Sequence, residues 1–192
     1  MNYRLAIENA PDEIPAGTGV LLLHPSTGET DRIDTDFLKS DTDAFLVIST
    51  RTTARGVMQK LDHYDVDEQR AVILDTLSVD RGYSRRSSDN VHYVSSPDDL
   101  DGILTQTRNF LESNEGKLRL SVDSVTELAY YADEERALET MRSLLDLLDE
   151  HDAVGLFHVS REVHDNDVLD AFVDLFDGVV DLGEDGTITA DF

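Results

Sequence analysis

Short apolar runs bounded by turn-forming residues recur along this chain, and most of them are continuous rather than alternating. Continuous runs of this length are typical of parallel strands that are covered on both faces. The pattern therefore predicts a series of strands, at Gly19–Leu23, Ala44–Ser49, Ala71–Asp75, Val91–Val94, Leu118–Val122, Ala153–Val159 and Gly178–Leu182.

Helical patterns lie between these runs. The clearest one has its apolar residues on one face and its charged residues elsewhere, and it predicts a helix from about Asp133 to Glu150. At Ser95–Leu100, a serine cap, a proline in the first turn and two acidic residues predict the start of a helix that runs to about Ser113. Two further helices are predicted at Thr52–Tyr64 and Asp165–Phe176.

The order of these elements predicts the fold class. Strands that alternate with helices form right-handed β-α-β units, a mainly parallel sheet and a three-layer α/β/α sandwich. Near the C-terminal end, Gly183–Gly186 separates Val179–Leu182 from Thr187–Ala190, which predicts a β-hairpin. No internal repeat, low-complexity tract or linker divides residues 1–192, and we expect a single domain.

The charge of the chain narrows the choice of partners. The formal net charge is −25, and aspartates are spread from Asp12 to Asp191 rather than gathered in a tail. Regular apolar segments argue against a disordered acidic chain. The composition is typical of cytoplasmic proteins of extreme halophiles, in which molar salt shortens the Debye length to about 3 Å and suppresses self-repulsion. Because such a surface repels phosphate backbones, nucleic acid is disfavoured as a partner.

The sequence also bears on location. No apolar run is long enough to span a bilayer, and Met1–Arg4 lacks the charged-then-apolar pattern of a secretory signal. The chain contains no cysteine, which is consistent with a reducing compartment. We therefore expect a cytoplasmic protein without a membrane partner.

The segment His24–Thr30 follows the first predicted strand, at the place where a phosphate-binding loop of pattern G-x-x-x-x-G-K-[ST] is expected. In this register Leu23 replaces the first glycine, Gly28 matches the second and Thr30 matches the terminal hydroxyl. Glu29 replaces the lysine that would reach the β and γ phosphates. This substitution changes the local charge by two units, and we expect it to oppose triphosphate binding.

Several segments, in the same order along the chain, resemble the KaiC-like branch of the RecA superfamily of ATPases, particularly its short archaeal members. Leu118–Thr126 is similar to the Walker B strand, in which an apolar run ends in Asp and Ser. The other matching segments are the lead into the first strand, the phosphate loop, a helix entry and the closing strand, at Ile14–Val20, His24–Thr30, Val94–Leu100 and Asp177–Val180. The resemblance covers nearly the whole chain and implies a RecA-like sheet.

The departures from the family are concentrated at its catalytic positions. Active members carry acidic residues after their second strand, whereas Thr50–Thr52 follows Ala44–Ser49 here. An inner glycine of the loop is replaced by Ser26. The resemblance leaves only Thr30, as a Mg²⁺ ligand, and Asp123, as the holder of that ion's water. It therefore implies no catalytic residue, and it leaves vestigial nucleotide-binding candidates at Ser26, Thr27, Gly28, Glu29, Thr30 and Asp123.

Two functions follow as hypotheses. The first is a non-catalytic, KaiC-like protein that needs no cofactor or metal and binds another protein as a regulatory or signalling component in a halophilic archaeon. The alternative is a weak ATP-binding protein or slow ATPase that uses Mg²⁺, the remaining loop amides and Asp123.

Other side chains could form a site, and each has a structural alternative. Asp123 could hold Mg²⁺ or simply cap the next segment through backbone hydrogen bonds. Asp75, at the end of another strand, could form a two-carboxylate site with Asp123. His158 and His164 could bind a metal, although exposed surface histidines are the commoner case.

Several arginines stand out against the acidic background, and we consider two roles for them. They contact an acidic partner or a second copy of the chain, or they form surface ion pairs worth about 0–1 kcal/mol each. The residues concerned are Arg51, Arg55, Arg85, Arg86 and Arg161. Arg51 and Arg161 follow strand ends, and a homo-oligomer through these two residues is possible.

Overall fold

A computed structural model of the chain describes residues 1–86 and 88–192. Within this part of the chain the strands are β1 (Asn2–Arg4), β2 (Glu13–Pro15), β3 (Gly19–His24), β4 (Ala44–Ser49), β5 (Ala71–Asp75), β6 (Val91–Tyr93), β7 (Leu118–Asp123), β8 (Val154–Ser160), β9 (Gly178–Leu182) and β10 (Ile188–Asp191). The helices are α1 (Asp31–Lys39), α2 (Ala54–His63), α3 (Leu100–Ser113), α4 (Val125–Tyr131), α5 (Glu134–Glu150) and α6 (Asn166–Val173), with a 3-10 turn at Glu68–Arg70.

Eight strands form one sheet in the order β10-β9-β3-β8-β7-β4-β5-β6. All neighbouring pairs are parallel except β9 and β10, which form the predicted C-terminal hairpin. Strands β1 and β2 make a separate antiparallel pair. The mainly parallel α/β sandwich predicted from the element order is therefore confirmed.

The sheet separates two apolar clusters, and alternate residues of each central strand face opposite sides, as the pleat requires. In β4, Leu46 and Ile48 join the cluster that contains α3, α4, α5 and α6. Phe45 and Val47 join the cluster that contains α1, α2 and the β1–β2 pair. A polar side chain of a central strand that lies on the same face of the sheet as Phe45 is therefore covered by the layer that contains α1 and α2.

The helix predicted from about Asp133 to Glu150 is confirmed as α5, and the side chain of Asp133 accepts a hydrogen bond from the Arg136 N–H. The predicted serine cap of α3 is wrong. The helix begins at Leu100, and the carboxylate of Asp99 caps it by accepting the Gly102 N–H at 3.0 Å. Ser95 lies outside the helix because its own hydroxyl and N–H donate to Asp99.

Four elements lie outside the segments predicted above: β1, β2, α1 and α4. Three-residue strands and a seven-residue helix are too short to show a periodic pattern. None of the helices in the described residues is both long and apolar enough to cross a membrane.

Candidate functional site

The loop between β3 and α1 folds tightly on itself. The Gly28 N–H donates to the Pro25 carbonyl at 2.8 Å, and a Cβ on Gly28 would lie 3.0 Å from that oxygen. The Ser26 N–H donates to the Glu162 carboxylate at 3.3 Å, while the Ser26 and Ser160 hydroxyls are hydrogen-bonded at 2.7 Å. Two of the amides that would surround a phosphate are therefore bonded within the protein.

The vestigial candidates of this loop differ in exposure. Ser26, Thr27 and Glu29 are exposed, whereas Thr30, directly before α1, is only 2% exposed. Glu29 lines a surface cleft of about 900 Å³ together with Arg32. The Glu29 carboxylate therefore lies in an open cleft.

Asp34 lies on α1 and is completely buried beneath the helix. Its carboxylate accepts hydrogen bonds from Lys60 Nζ of α2 at 2.9 Å, from His158 Nε2 of β8 at 2.9 Å and from Ser121 Oγ of β7 at 2.5 Å. Lys60 is also almost enclosed, with 11% of its side chain exposed. One carboxylate thus joins two helices to two central strands.

Asp123 ends β7 and is held by a two-point contact. Arg51 Nε donates to Asp123 Oδ1 at 2.8 Å, and Arg51 Nη2 donates to Oδ2 at 3.2 Å. His158 lies between the two buried carboxylates, because its Nδ1 is 3.8 Å from Asp123 Oδ1 while its Nε2 donates to Asp34. The result is a continuous chain of charged and polar groups, here called the buried cluster: Lys60, Asp34, His158, Asp123 and Arg51.

The ionisation of the buried cluster follows from these contacts. Burial raises the pKa of Asp34, but Lys60 and His158 outweigh it, and the pKa lies well below its usual range. The pKa of Asp123 is lowered in the same way, because His158, Arg51 and Lys60 outweigh burial. Burial lowers and Asp34 raises the pKa of Lys60, with a net value of about 12. Two carboxylates thus balance two permanent cations, Lys60 and Arg51.

His24 extends the buried cluster toward the loop. Its ring lies 6.1 Å from that of His158, and its Nδ1–H donates to the Pro25 carbonyl at 2.8 Å. Burial lowers the pKa of His24 and outweighs the hydrogen bond to the Pro25 carbonyl, which raises it. His24 Nε2 and His158 Nδ1 have no hydrogen-bond partner among the described residues. Neutral imidazole is therefore the favoured form of His24.

The structure does not bring Asp75 and Asp123 together. Both are in register with Ser49, on opposite sides of β4, so two strand spacings of about 5 Å separate their backbones. The Asp75 carboxylate accepts the N–H groups of Ala54, Leu77 and Ser78 and the Ser78 hydroxyl. Asp75 therefore organises the start of α2 and the loop after β5.

The expectation of exposed histidines at positions 158 and 164 is wrong, because both side chains are buried. His164 contacts Thr126 Oγ1 at 3.1 Å and Glu134 Oε1 at 3.3 Å, and it packs against Phe172. The two histidines thus belong to different networks. Residues 1–86 and 88–192 contain no group of three or more His, Asp or Glu side chains arranged to hold a metal ion.

Arg51 and Arg161 lie at the carboxyl ends of β4 and β8, as expected, and both are hydrogen-bonded within the chain. Arg161 donates to the Asp181 carboxylate and to the Leu182 carbonyl of β9. The homo-oligomer through these arginines stays a prediction.

Sequence reasoning missed the central roles of Asp34, Lys60 and Ser121. A signal was present, because Ser121 and His158 are polar residues in strands that are covered on both faces. Polar groups buried in this way are almost always hydrogen-bonded, which implies a partner in the facing helical layer. The sequence did not indicate which residue of α1 or α2 supplies it.

Solved structures with a similar fold support the RecA-like assignment. A KaiC-like protein of the hyperthermophilic archaeon Pyrococcus horikoshii is 17% identical, with a TM-score of 0.64, over 95% of this chain and 83% of that chain. A type III secretion ATPase of pathogenic bacteria is 12% identical, with a TM-score of 0.64, over 90% of this chain but only 53% of its own. An uncharacterized P. horikoshii protein in complex with an unknown peptide is 18% identical, with a TM-score of 0.61, over 92% and 83% of the two chains.

At these identities the likeness establishes the fold and nothing about activity. No curated protein matches the sequence. A family model matches residues 1–192 in full. The chain therefore belongs to the family of unknown function DUF7090.

Proposed function

We propose that this protein is a non-catalytic member of the RecA-like fold that does not hydrolyse ATP and acts by binding another protein. Its role is regulatory or signalling, in the cytoplasm of a halophilic archaeon. The observation that carries the proposal is the two-point contact between Arg51 and Asp123, because it occupies the carboxylate that would hold the water of a nucleotide-bound Mg²⁺.

The energetic argument is that nucleotide binding must first break this contact. Hydrogen bonds between charged groups contribute about 1.5–3 kcal/mol each, and Arg51 is one-third exposed, which favours the lower end of the range. A loss of about 3 kcal/mol for the two bonds weakens a dissociation constant by roughly 150-fold. The amides of Ser26 and Gly28, which are already hydrogen-bonded within the protein, add to this cost.

The remaining cations do not compensate for the missing loop lysine. Lys60 is bonded to Asp34 and lies 4.0 Å from Asp31, so both of its close neighbours are carboxylates. A phosphate that approached Lys60 would have to displace the buried Asp34, and breaking a buried ion pair costs about 3–5 kcal/mol. The site is therefore stable without an anion.

Support for a protein-binding role is of two kinds. A blocked nucleotide site leaves a rigid sheet whose surface can serve for recognition. A solved structure of similar fold from P. horikoshii contains an unknown peptide, which is a property of that protein and a precedent for this one.

The test is a thermal titration with ATP and Mg²⁺ at molar KCl. Occupancy at a hundred times the dissociation constant would add about 2.7 kcal/mol, which is roughly 5–11 °C for a chain of this length. We expect no change in Tm at millimolar nucleotide. A rise that disappears in Asp123→Asn would overturn the proposal in favour of a weak ATP-binding protein or slow ATPase.

Two variants locate the block. Glu29→Lys restores the residue type of the phosphate-loop motif at an exposed position, and we expect it to leave Tm insensitive to ATP because the Arg51–Asp123 contact stays in place. Arg51→Ala frees Asp123, and we expect it alone to gain a measurable response to Mg²⁺ or ATP–Mg²⁺. Arg161→Ala is the matched control. A gain in Glu29→Lys without one in Arg51→Ala would show that charge at the loop, rather than the buried pair, prevents binding.

A further inference from the structure

A second concave region lies beyond α2, at the end of the α1–α2 layer that is farther from the loop His24–Thr30. The layer formed by α1 and α2 ends at α2, while the sheet continues to its last strand, β6. The uncovered face of β6 forms the floor of a cleft of about 1050 Å³, into which Val91 and Tyr93 face. The side chain of His92 lies on the other face of β6 and lines a different cleft, on the α3 side of the sheet.

The walls of this cleft combine cations with aromatic and polar groups. Arg55 and Met58 of α2 line the cleft, as do Tyr83 and Arg86 of the loop before β6. Serine and asparagine side chains complete the lining, at Ser78, Ser84, Ser88 and Asn90. Tyr and Arg are the residues most enriched where proteins bind one another.

The arginines here lack carboxylate partners. None of Arg55, Arg81, Arg85 and Arg86 forms an ion pair with a carboxylate of residues 1–86 or 88–192, whereas all three lysines do. The segment from position 81 to 88 contains three arginines and no acidic residue. The one carboxylate that lines the cleft, Asp75, accepts four hydrogen bonds from the protein. In a chain of net charge −25, three arginines within six residues, flanked by Asp80 and Asp89, form a local concentration of positive charge.

We propose that the cleft between α2 and the loop before β6 binds an acidic peptide segment of a partner protein. Arg55 and Arg86 take its carboxylates, and Tyr83, Tyr93 and Met58 contact its apolar side chains. This inference deepens the proposed function and rests on it. The volume of about 1050 Å³ is large enough for a short segment of chain.

Charge also favours a peptide over a nucleic acid. A polyanionic backbone would extend beyond the cleft onto the acidic remainder of the surface, where it is repelled. A short acidic segment places its carboxylates only where the arginines are. At molar salt the Debye length is about 3 Å, so repulsion between the two acidic proteins is screened.

The experiment measures fluorescence anisotropy of a short labelled peptide of Asp, Glu and Leu against the full chain, at low and at molar KCl. A peptide of the same sequence with Asn and Gln in place of the acids is the ligand control. We expect binding of the acidic peptide alone, and binding up to about fivefold weaker to Arg55→Ala and to Arg86→Ala, because each variant loses one ion pair of an exposed arginine. Arg142→Ala, on the exposed face of α5, makes the same charge change and is expected to leave binding unaltered.

Three outcomes would overturn the inference: no binding of the acidic peptide, equal binding of the neutral peptide, or equal binding to the two cleft variants and wild type. Tighter binding of single-stranded DNA that also depends on Arg55 and Arg86 would likewise assign the cleft to phosphate. Circular dichroism melts establish that each variant is folded. If ATP raises the Tm, the proposed function is overturned. If ATP leaves the Tm unchanged and one of the outcomes above is observed, only the inference about the cleft is overturned.

Discussion

Replacing Asp34 with asparagine removes a negative charge from the buried cluster and leaves the Lys60 ammonium without its carboxylate. The carboxamide oxygen of the new side chain can still accept hydrogen bonds from Ser121 and His158, so the change is mainly one of charge. Asp34 is fully buried and only 11% of the Lys60 side chain is exposed, so water does little to solvate the orphaned cation.

The expected magnitude follows from that burial. Removing one partner of a buried ion pair costs about 3–5 kcal/mol, a large part of the roughly 5–15 kcal/mol that stabilises a typical domain. For a chain of this length the loss lowers Tm by about 6–20 °C. Urea unfolding followed by circular dichroism, with a thermal melt, measures both quantities.

Asp31→Asn is the matched control. Asp31 is 4.0 Å from the same Lys60 Nζ but is half-exposed, so its loss is expected to cost less than about 1 kcal/mol. A double-mutant cycle with Lys60→Met isolates the interaction of the pair. We expect the double variant to lose less free energy of unfolding than the two single variants lose together, by at least about 1 kcal/mol. If Asp34→Asn costs no more than Asp31→Asn, the buried cluster is not held by charge and the reasoning fails.

Two further predictions concern buried cations. Lys60 has its pKa raised from 10.5 to about 12, so its contribution is fully present below pH 10.5 and is lost as the pH rises toward 12. The contribution is about 2 kcal/mol, and the difference in urea stability between wild type and Lys60→Met is expected to shrink by about that amount over this pH range. Arg119 is fully buried between Tyr3 and Phe37, donates one hydrogen bond to the Arg4 carbonyl and leaves Nε and Nη1 without partners in the described structure. Arg119→Met is therefore expected to leave the free energy of unfolding unchanged or to raise it by up to about 2 kcal/mol. A measured loss of more than about 2 kcal/mol would show that stacking of the guanidinium on the two rings dominates.

Much of the fold follows from local sequence. The apolar runs predicted seven of the eight strands of the main sheet, because strands covered on both faces need apolar residues at successive positions, and the hairpin pattern predicted β10. The one-sided pattern of α5 predicted its length almost to the residue. The start of α3 was predicted less well, because serine and aspartate are both good caps. In the folded turn Asp99 caps the helix and also accepts two hydrogen bonds from Ser95.

The loop illustrates where motif comparison stops. Alignment with the phosphate-loop pattern located the end of β3 to within one residue, and it matched Glu29 with the lysine of that pattern. It placed the decisive charge at Glu29, whereas in the structure that side chain is exposed. The contact that we propose as the obstacle to nucleotide binding joins Arg51 to Asp123, and no loop motif contains either residue.

The buried cluster depends on tertiary structure because its members are far apart in the chain. Arg51 meets Asp123 across 72 residues, and Asp34 meets Ser121 and His158 across 87 and 124 residues. Periodicity shows that a position is buried, but it carries no information on which buried polar group lies opposite. The packing of α1 and α2 on the same face of β7 and β8 determines these partners. A carboxylate that water cannot reach requires a hydrogen-bond donor, and the packing determines which donors are within reach.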